Sequence, residues 1–184
     1  MTIGYVFVEG PTDAELLHRI VPPEAIQDVK LIITGGRVGM ASYARSVRVH
    51  DRVPVLVLRD ADSLNRETVE SQRQDSEDLI RMVAPSAPVK VISVVPEIEA
   101  WLFAAPEAIE RVLGEKLTEE RIALGKRDPK GVLQYLANLR NATWNTSRAV
   151  AALDDHDVER IRELPEVQEM ILFLHEMQSV YQAA

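Results

Sequence analysis

The sequence predicts an α/β fold, a four-stranded parallel sheet flanked by helices, with a helical C-terminal extension. Two observations support this class. Four short apolar runs alternate with segments of helical periodicity as far as residue 96, and beyond residue 100 apolar residues recur only at helical spacing. The predicted domains are therefore an α/β domain over residues 1–104 and a helical extension over 105–184 that packs on it. A chain of 184 residues is long enough to bury a substantial core.

The predicted strands are the apolar runs 3–9, 29–36, 53–58 and 89–96. They consist almost entirely of β-branched and other apolar residues, which is typical of strands buried on both faces of a parallel sheet. The third run, VPVLVL, ends abruptly at a charged segment, RDADS. Ligands of open α/β sheets collect outside the carboxyl ends of the strands, so this junction is the first place to look for a functional site.

Helix-start signals are weaker than the strand signals. Thr12 followed by Glu15 has the spacing of a capping box, and a carboxylate at Asp13 suits the first turn of a helix. The polar stretch from residue 63 to 75 predicts a mobile connection, followed by a helix capped by Ser76.

Residues 37–52 are the most basic segment of an acidic protein. Arg37, Arg45, Arg48 and Arg52 lie largely off the apolar face of the predicted helix. A polyanion bound by this chain needs a local positive strip, so we expect this segment to lie near its path. A solvated helix face explains the same pattern.

Composition excludes several classes of protein. The net charge of −8 gives no overall attraction for nucleic acid, so a polyanion must meet a local basic patch or a bound metal. The absence of cysteine excludes disulfides, zinc ribbons, iron–sulfur clusters and thiol catalysis. No basic N-terminal region precedes an apolar core, and no apolar stretch approaches the roughly 20 residues of a membrane span. A cytoplasmic protein is therefore expected.

Carboxylates follow three of the four predicted strands: Glu9, the pair Asp60 and Asp62, and the pair Glu97 and Glu99. If the chain stays extended, Asp60 and Asp62 point the same way. Several carboxylates at one edge of a sheet repel one another unless a cation or a shared proton relieves them. Oxygen ligands without histidine or cysteine favour Mg²⁺ or Mn²⁺, which support phosphodiester displacement.

The same residues carry a family resemblance. VFVEGPTDAELL resembles the first motif of the Toprim superfamily, and LVLRDADS resembles its Asp-x-Asp motif, with ITGG as the intervening glycine turn. The resemblance covers about residues 3–104. Together with PEIEAWL, the pattern is similar to the overcoming-lysogenization-defect (OLD) nucleases and to small stand-alone Toprim proteins of bacterial phage-defence loci.

This resemblance implies a Mg²⁺- or Mn²⁺-dependent nuclease whose expected substrate is DNA rather than RNA and which works with a separately encoded ATPase. The metal ligands it implies are Glu9, Asp13, Asp60, Asp62 and one or both of Glu97 and Glu99. A lysine assists catalysis in that family, and Lys126 and Lys130 in GKRDPKGVL are the candidates. The predicted catalytic residues are Glu9, Asp60, Asp62 and Lys130.

Other functions fit parts of the pattern. The chain is too short to carry the tyrosine domain of a topoisomerase, and it lacks the cysteines of primases and recombination mediators. A response-regulator receiver is disfavoured because its acidic pair follows strand one rather than strand three. A ribosomal-RNA maturase fits in size, although DADSLN replaces the usual proline and glycine turn. A non-catalytic Toprim scaffold that binds a regulatory partner also stays open.

Overall fold

The computed structural model describes residues 2–182 and the side chains of residues 2–180. Its four strands are Gly4–Val8 (β1), Val29–Ile33 (β2), Val55–Asp60 (β3) and Val89–Val94 (β4). They form one parallel sheet in the order β2-β1-β3-β4. The predicted fold class, a four-stranded parallel sheet with flanking helices and a helical C-terminal part, is confirmed. Strand β3 extends further than expected and includes Asp60.

Helices surround the sheet and form the C-terminal part. They are α1 (Pro11–Ile20), α2 (Pro23–Ile26), α3 (Met40–Asp51), α4 (Arg66–Arg81), a 3₁₀ helix (Ile98–Ala104), α5 (Pro106–Leu113), α6 (Glu119–Gly125), α7 (Pro129–Asn138), α8 (Thr146–Ala151), α9 (Asp155–Arg162) and α10 (Pro165–Gln182). No helix within residues 2–182 is both long enough and apolar enough to cross a membrane.

The two faces of the sheet pack against different helices. On one face Leu56 and Leu58 belong to a core shared with α1, the 3₁₀ helix and α10. On the other face Val55 and Val57 belong to a smaller core shared with α3 and α4. Side chains alternate between faces along a strand. The next two residues of β3 therefore diverge, with Arg59 on the α3 and α4 face and Asp60 on the face of the C-terminal helices.

Helix α10 completes the larger core. Its side chains Val167, Met170, Leu174 and Met177 are fully buried in the same cluster as Val6 of β1. The C-terminal helices therefore pack directly against the sheet. The division of the chain at residue 104 stays a prediction.

Two helix starts differ from expectation. Helix α1 begins at Pro11, so Thr12 lies inside the helix rather than at its cap. Helix α4 begins at Arg66 because the side chain of Asn65 accepts a hydrogen bond from Thr68 N at 2.9 Å. The predicted mobile connection is therefore helical, and Ser76 is an interior residue whose hydroxyl donates to Gln72 O.

The arginine-rich segment is only partly exposed. Arg48 is fully buried, and its guanidinium donates to the backbone carbonyls of Ala84, Ala87 and Pro88 in the connection between α4 and β4. Carbonyl acceptors offset the cost of burying the charge. The expectation that Arg48 lies on the path of a polyanion is wrong, because a buried side chain cannot reach one.

Candidate functional site

Three carboxylates meet at the carboxyl edge of β3 and β4. Asp60, Glu97 and Glu99, here called the acidic triad, place one oxygen each within 4.8 Å of one another. Strands β3 and β4 pair with Asp60 opposite Val94, so the chain leaving β4 passes beside Asp60. Asp60 Oδ1 accepts a hydrogen bond from Ile98 N at 2.9 Å, which fixes the start of the 3₁₀ helix that carries Glu99.

Lys130 contacts every member of the triad. Its Nζ lies 2.6 Å from Glu97 Oε2, 3.2 Å from Asp60 Oδ2 and 3.4 Å from Glu99 Oε2. Asp128 caps helix α7, and this places Lys130 in its first turn. A cation is disfavoured near a helix N-terminus. The three carboxylates offset that cost, and Glu97 Oε1 also accepts the backbone N–H of Lys130 at 3.0 Å.

Burial and charge act in opposite directions on these groups. Burial raises the pKa of Asp60 and of Glu99, and the charge of Lys130 opposes both shifts. Burial alone would lower the pKa of Lys130, but the hydrogen bond to Glu97 and the charges of Glu99 and Asp60 hold that pKa above its ordinary value. The triad therefore stabilises a cation at its centre.

The donor set of the triad fits a hard divalent cation. Three carboxylates against one ammonium leave negative charge uncompensated when all are ionised. Glu99 Oε2 is buried, and among the described residues it receives no hydrogen bond, only the long ion-pair contact with Lys130. Mg²⁺ and Mn²⁺ prefer oxygen ligands of this kind. The triad could therefore hold a metal ion.

A second acidic group adjoins the triad. Glu9 follows β1, and its Oε1 accepts the backbone N–H of Asp60 at 3.1 Å. Asp13 Oδ2 accepts the backbone N–H groups of Glu9 at 3.1 Å and Gly10 at 2.9 Å, so it stabilises the start of α1. Burial raises the pKa of Glu9, the Asp60 amide opposes this, and the charges of Asp60, Asp62 and Asp13 raise it further.

The side chain of Asp62 does not point the same way as that of Asp60, because the backbone leaves the extended path of β3 before this residue. Its backbone φ of 52° is left-handed, so the extended geometry of β3 does not continue to this residue. Its Oδ2 instead forms an ion pair with Arg37 Nη1 at 2.8 Å. Of the predicted metal ligands, the structure brings together Asp60, Glu97 and Glu99. Glu9, Asp13 and Asp62 lie beside this group rather than in it.

The two candidate lysines lie in different places. Lys130 contacts the triad, whereas Lys126 lines a separate cavity of about 160 Å³ with Trp101 and Glu166. The sequence DPKG could have distinguished them, because an aspartate before proline marks a helix start and places Lys130 in a first turn. Sequence reasoning missed Arg59 and Ser76, which form a hydrogen bond on the other face of β3.

Comparison with known families gives one decisive match. Residues 8–175 match a domain of unknown function, DUF4276. The chain belongs to the DUF4276 family. No curated protein matches this DUF4276 chain significantly.

Solved structures resemble the DUF4276 chain over almost its whole length. The C-terminal region of the Burkholderia pseudomallei OLD protein is 16% identical with a TM-score of 0.51, and the similarity covers 96% of this chain and 98% of that one. The C-terminal region of the Xanthomonas campestris pv. campestris OLD protein is 19% identical with a TM-score of 0.46, over 95% and 98% of the two chains. The first likeness shows a shared fold.

Proposed function

We propose that this DUF4276 protein is a Mg²⁺- or Mn²⁺-dependent nuclease of the Toprim and OLD type that cleaves phosphodiester bonds in DNA. One observation carries the proposal: the acidic triad converges with Lys130 at the carboxyl edge of the sheet, and a buried oxygen of Glu99 lacks a hydrogen-bond donor among the described residues. The fold shared with an OLD C-terminal region and the Toprim-like motifs at Glu9 and Asp60 support the same class.

The residues of the triad would hold the divalent cation. Asp60 offers a partly buried carboxylate, Glu99 a buried one, and Glu97 an oxygen that lies 2.6 Å from Lys130 Nζ. When bound, a divalent cation stabilises the negative charge that develops on a phosphoryl group during displacement. Asp13 and Asp62 lie close enough to Glu9 for their charges to raise its pKa, and we propose them as further ligands of the divalent cation.

Lys130 and Glu9 would act on the substrate directly. The ammonium of Lys130 is partly exposed, so it can donate a hydrogen bond to a phosphate oxygen while one carboxylate still holds it. Glu9 has a raised pKa, which brings it nearer to the range where a carboxylate is an effective proton acceptor. We propose that it accepts a proton from the attacking water.

The partners of this site are also proposals. The substrate would be nucleic acid, with DNA preferred over RNA, and a separately encoded ATPase would assist it. Co-purification of the tagged chain from its host, with and without added nucleotide, tests whether a separately encoded ATPase binds it.

Replacement of Asp60 tests the function. Asp60→Asn keeps the shape of the side chain and its bond from Ile98 N but removes the charge. We expect at least about a hundredfold loss of Mn²⁺-dependent cleavage, because one of three carboxylates loses its charge. Cleavage is measured on plasmid DNA, single-stranded DNA and RNA, so that a maturase-like ribonuclease is detected by the same assay.

Asp75→Asn is the matched control, because Asp75 is an exposed aspartate within α4. This variant should cleave like the parent. Equal cleavage by Asp60→Asn and the parent would contradict the proposed function. The same conclusion follows if the purified parent cleaves none of the three substrates with either metal.

A non-catalytic partner-binding protein is the second candidate. Lys130 already contacts all three carboxylates, so the triad can be stable as an internal ion-pair network without a metal. Calorimetric titration of the parent with millimolar Mn²⁺ separates the two functions. Heat of binding that disappears in Asp60→Asn supports the nuclease, and no heat in the parent favours the partner-binding protein.

A further inference from the structure

A small cavity lies across β3 from the acidic triad. Its volume is about 40 Å³, and Arg37, Arg59 and Ser76 line it. Its remaining lining residues are Met40, Ala41, Val57 and Ile80, which belong to the core shared with α3 and α4 or pack against it. Arg59 and Asp60 are consecutive residues on opposite faces of β3, so the cavity and the triad occupy two sides of the same strand end.

Arg59 lines this cavity, and the acceptors of its hydrogen bonds are neutral hydroxyl groups. Its Nε donates to Ser93 Oγ at 3.1 Å, and its Nη1 donates to Ser76 Oγ at 3.0 Å. The hydroxyl of Ser76 in turn donates to Gln72 O at 2.9 Å. A partly buried guanidinium whose hydrogen-bond acceptors are hydroxyls keeps its positive charge uncompensated by direct contact.

Arg37 brings a second positive charge to the same cavity. Its side chain is 39% exposed, and one nitrogen forms the ion pair with Asp62. The charges of Arg37 and Arg59 repel each other across this small cavity. The carboxylates of Glu9 and Asp62 oppose that repulsion, and an anion between the two guanidinium groups would oppose it further. Guanidinium groups present several N–H donors in a planar fork that matches the oxygens of a phosphate.

We propose that Arg37, Arg59 and Ser76 form a binding site for a phosphate group. A nucleic-acid strand that crosses the carboxyl edge of the sheet would present one phosphate to the triad and a neighbouring phosphate to this cavity. The identification of the ligand as a nucleic-acid strand rests on the proposed function. The phosphate site itself does not, because a free phosphate ion presents the same oxygens to the arginines. Of the basic segment expected from the sequence, Arg37 alone takes part.

The test measures binding without cleavage. A fluorescently labelled DNA oligonucleotide is titrated with the protein in EDTA at several salt concentrations, for the parent, Arg37→Gln and Arg59→Gln. Each substitution should weaken binding about tenfold and reduce the slope of log affinity against log salt by about 0.7 to 0.9, the value for one lost phosphate contact. Arg59→Lys should keep most of the salt slope and lose affinity, since it retains the charge without the fork.

Arg140→Gln is the matched control. Arg140 is also an exposed arginine, 41% accessible, and it forms an ion pair with Glu115 at 2.8 Å, the same length as that between Arg37 and Asp62. It follows the end of α7 and does not line the cavity. Its replacement should leave affinity and salt slope unchanged. Thermal unfolding of each variant checks the fold, and the exposed Arg37 tests the site even if Arg59→Gln unfolds.

Inorganic phosphate distinguishes the two sources of the anion. Calorimetric titration with phosphate is run on the same variants. Loss of phosphate binding in Arg37→Gln and Arg59→Gln, with unchanged oligonucleotide binding, supports the site but assigns it to a small phosphate compound. Unchanged binding of both probes, equal losses in Arg140→Gln, or no binding of either probe by the parent would overturn the proposal. Cleavage by Asp60→Asn is scored separately, so either proposal can fail alone.

Discussion

At the scale of single residues, Lys130 contributes both to the stability of the fold and to the proposed chemistry. Its ammonium is the one cation in contact with all three triad carboxylates among the described residues. The same position, among carboxylate oxygens, is where a divalent cation would bind. A metal ion and the ammonium therefore compete for at least part of the same negative charge. Removal of Lys130 should lower the stability of the metal-free protein and increase the stabilisation that added metal gives.

Lys130→Met tests this competition. Without metal, three carboxylates lose their shared cation, and we expect the free energy of unfolding to fall by about 1–2 kcal/mol, less than for a buried pair because Lys130 is partly exposed. Added Mn²⁺ should then raise the melting temperature more in Lys130→Met than in the parent, since binding to the native state stabilises it. Thermal unfolding with and without millimolar Mn²⁺ gives both quantities.

Lys126→Met is the control for that experiment, because Lys126 is an exposed lysine four positions earlier that does not contact the triad. It should match the parent in both measurements. If Mn²⁺ shifts the melting temperature of all three proteins equally, metal binds somewhere other than the triad.

Sequence reasoning could place carboxylates at the strand ends but not their partners. Asp60 ends β3 and Glu97 follows β4, and these parallel strands are adjacent in the sheet, so the two carboxylates lie at the same edge. The contact of Lys130 with Asp60 spans 70 positions and depends on how α7 packs, which no local pattern encodes. The left-handed turn at Asp62 and the burial of Arg48 likewise depend on tertiary contacts.

At the scale of elements, the 3₁₀ helix Ile98–Ala104 positions Glu99, and its packing against α6 holds it there. Phe103 of this helix is 1% exposed and lies against Gly125, the last residue of α6. A Cβ at position 125 would overlap the Phe103 ring. The absence of a side chain at Gly125 therefore lets the two elements approach closely.

Gly125→Ala should destabilise the protein by about 1–3 kcal/mol, because an extra carbon in a packed contact forces its neighbours to move. The measurement is the free energy of unfolding in urea. Phe103→Leu in the same chain should recover part of this loss, since the smaller side chain leaves room for the added methyl group. A double mutant whose loss equals the sum of the two single losses would show that the ring is not the obstacle.

Helix boundaries show what local pattern reasoning leaves out. The segment after Asn65 is polar and lacks an apolar stripe, so its pattern predicts the start of α4 about ten residues too late. Ion pairs within the helix, from Arg73 to Glu70 and Glu77, support it instead. Only Val69 and Ile80 are buried apolar residues of this helix, so its hydrophobic signal is weak. The available sequence signal for the start of α4 is Asn65, because asparagine is a preferred residue at the N-cap of a helix.

At the scale of the whole molecule, the sheet and the C-terminal helices share one core. Leu56 and Leu58 of β3 lie in the same cluster as Trp101 of the 3₁₀ helix and Leu174 of α10. The candidate site also extends past residue 104, because all three members of the acidic triad precede that residue while Lys130, which contacts them, comes from α7. The core and the site therefore both include residues beyond the predicted boundary.

A chain ending at residue 104 should consequently fail to fold. Helix α10 alone contributes four fully buried side chains, Val167, Met170, Leu174 and Met177. At about 1.5–3 kcal/mol each, their burial stabilises the native state by roughly 6–12 kcal/mol. That is comparable to the whole net stability of a typical domain, about 5–15 kcal/mol, before the apolar sheet face that these side chains cover is counted. We expect the truncated chain to show no cooperative thermal transition by circular dichroism, whereas the full chain shows one. A cooperative transition in the truncated chain would establish residues 1–104 as an independent domain.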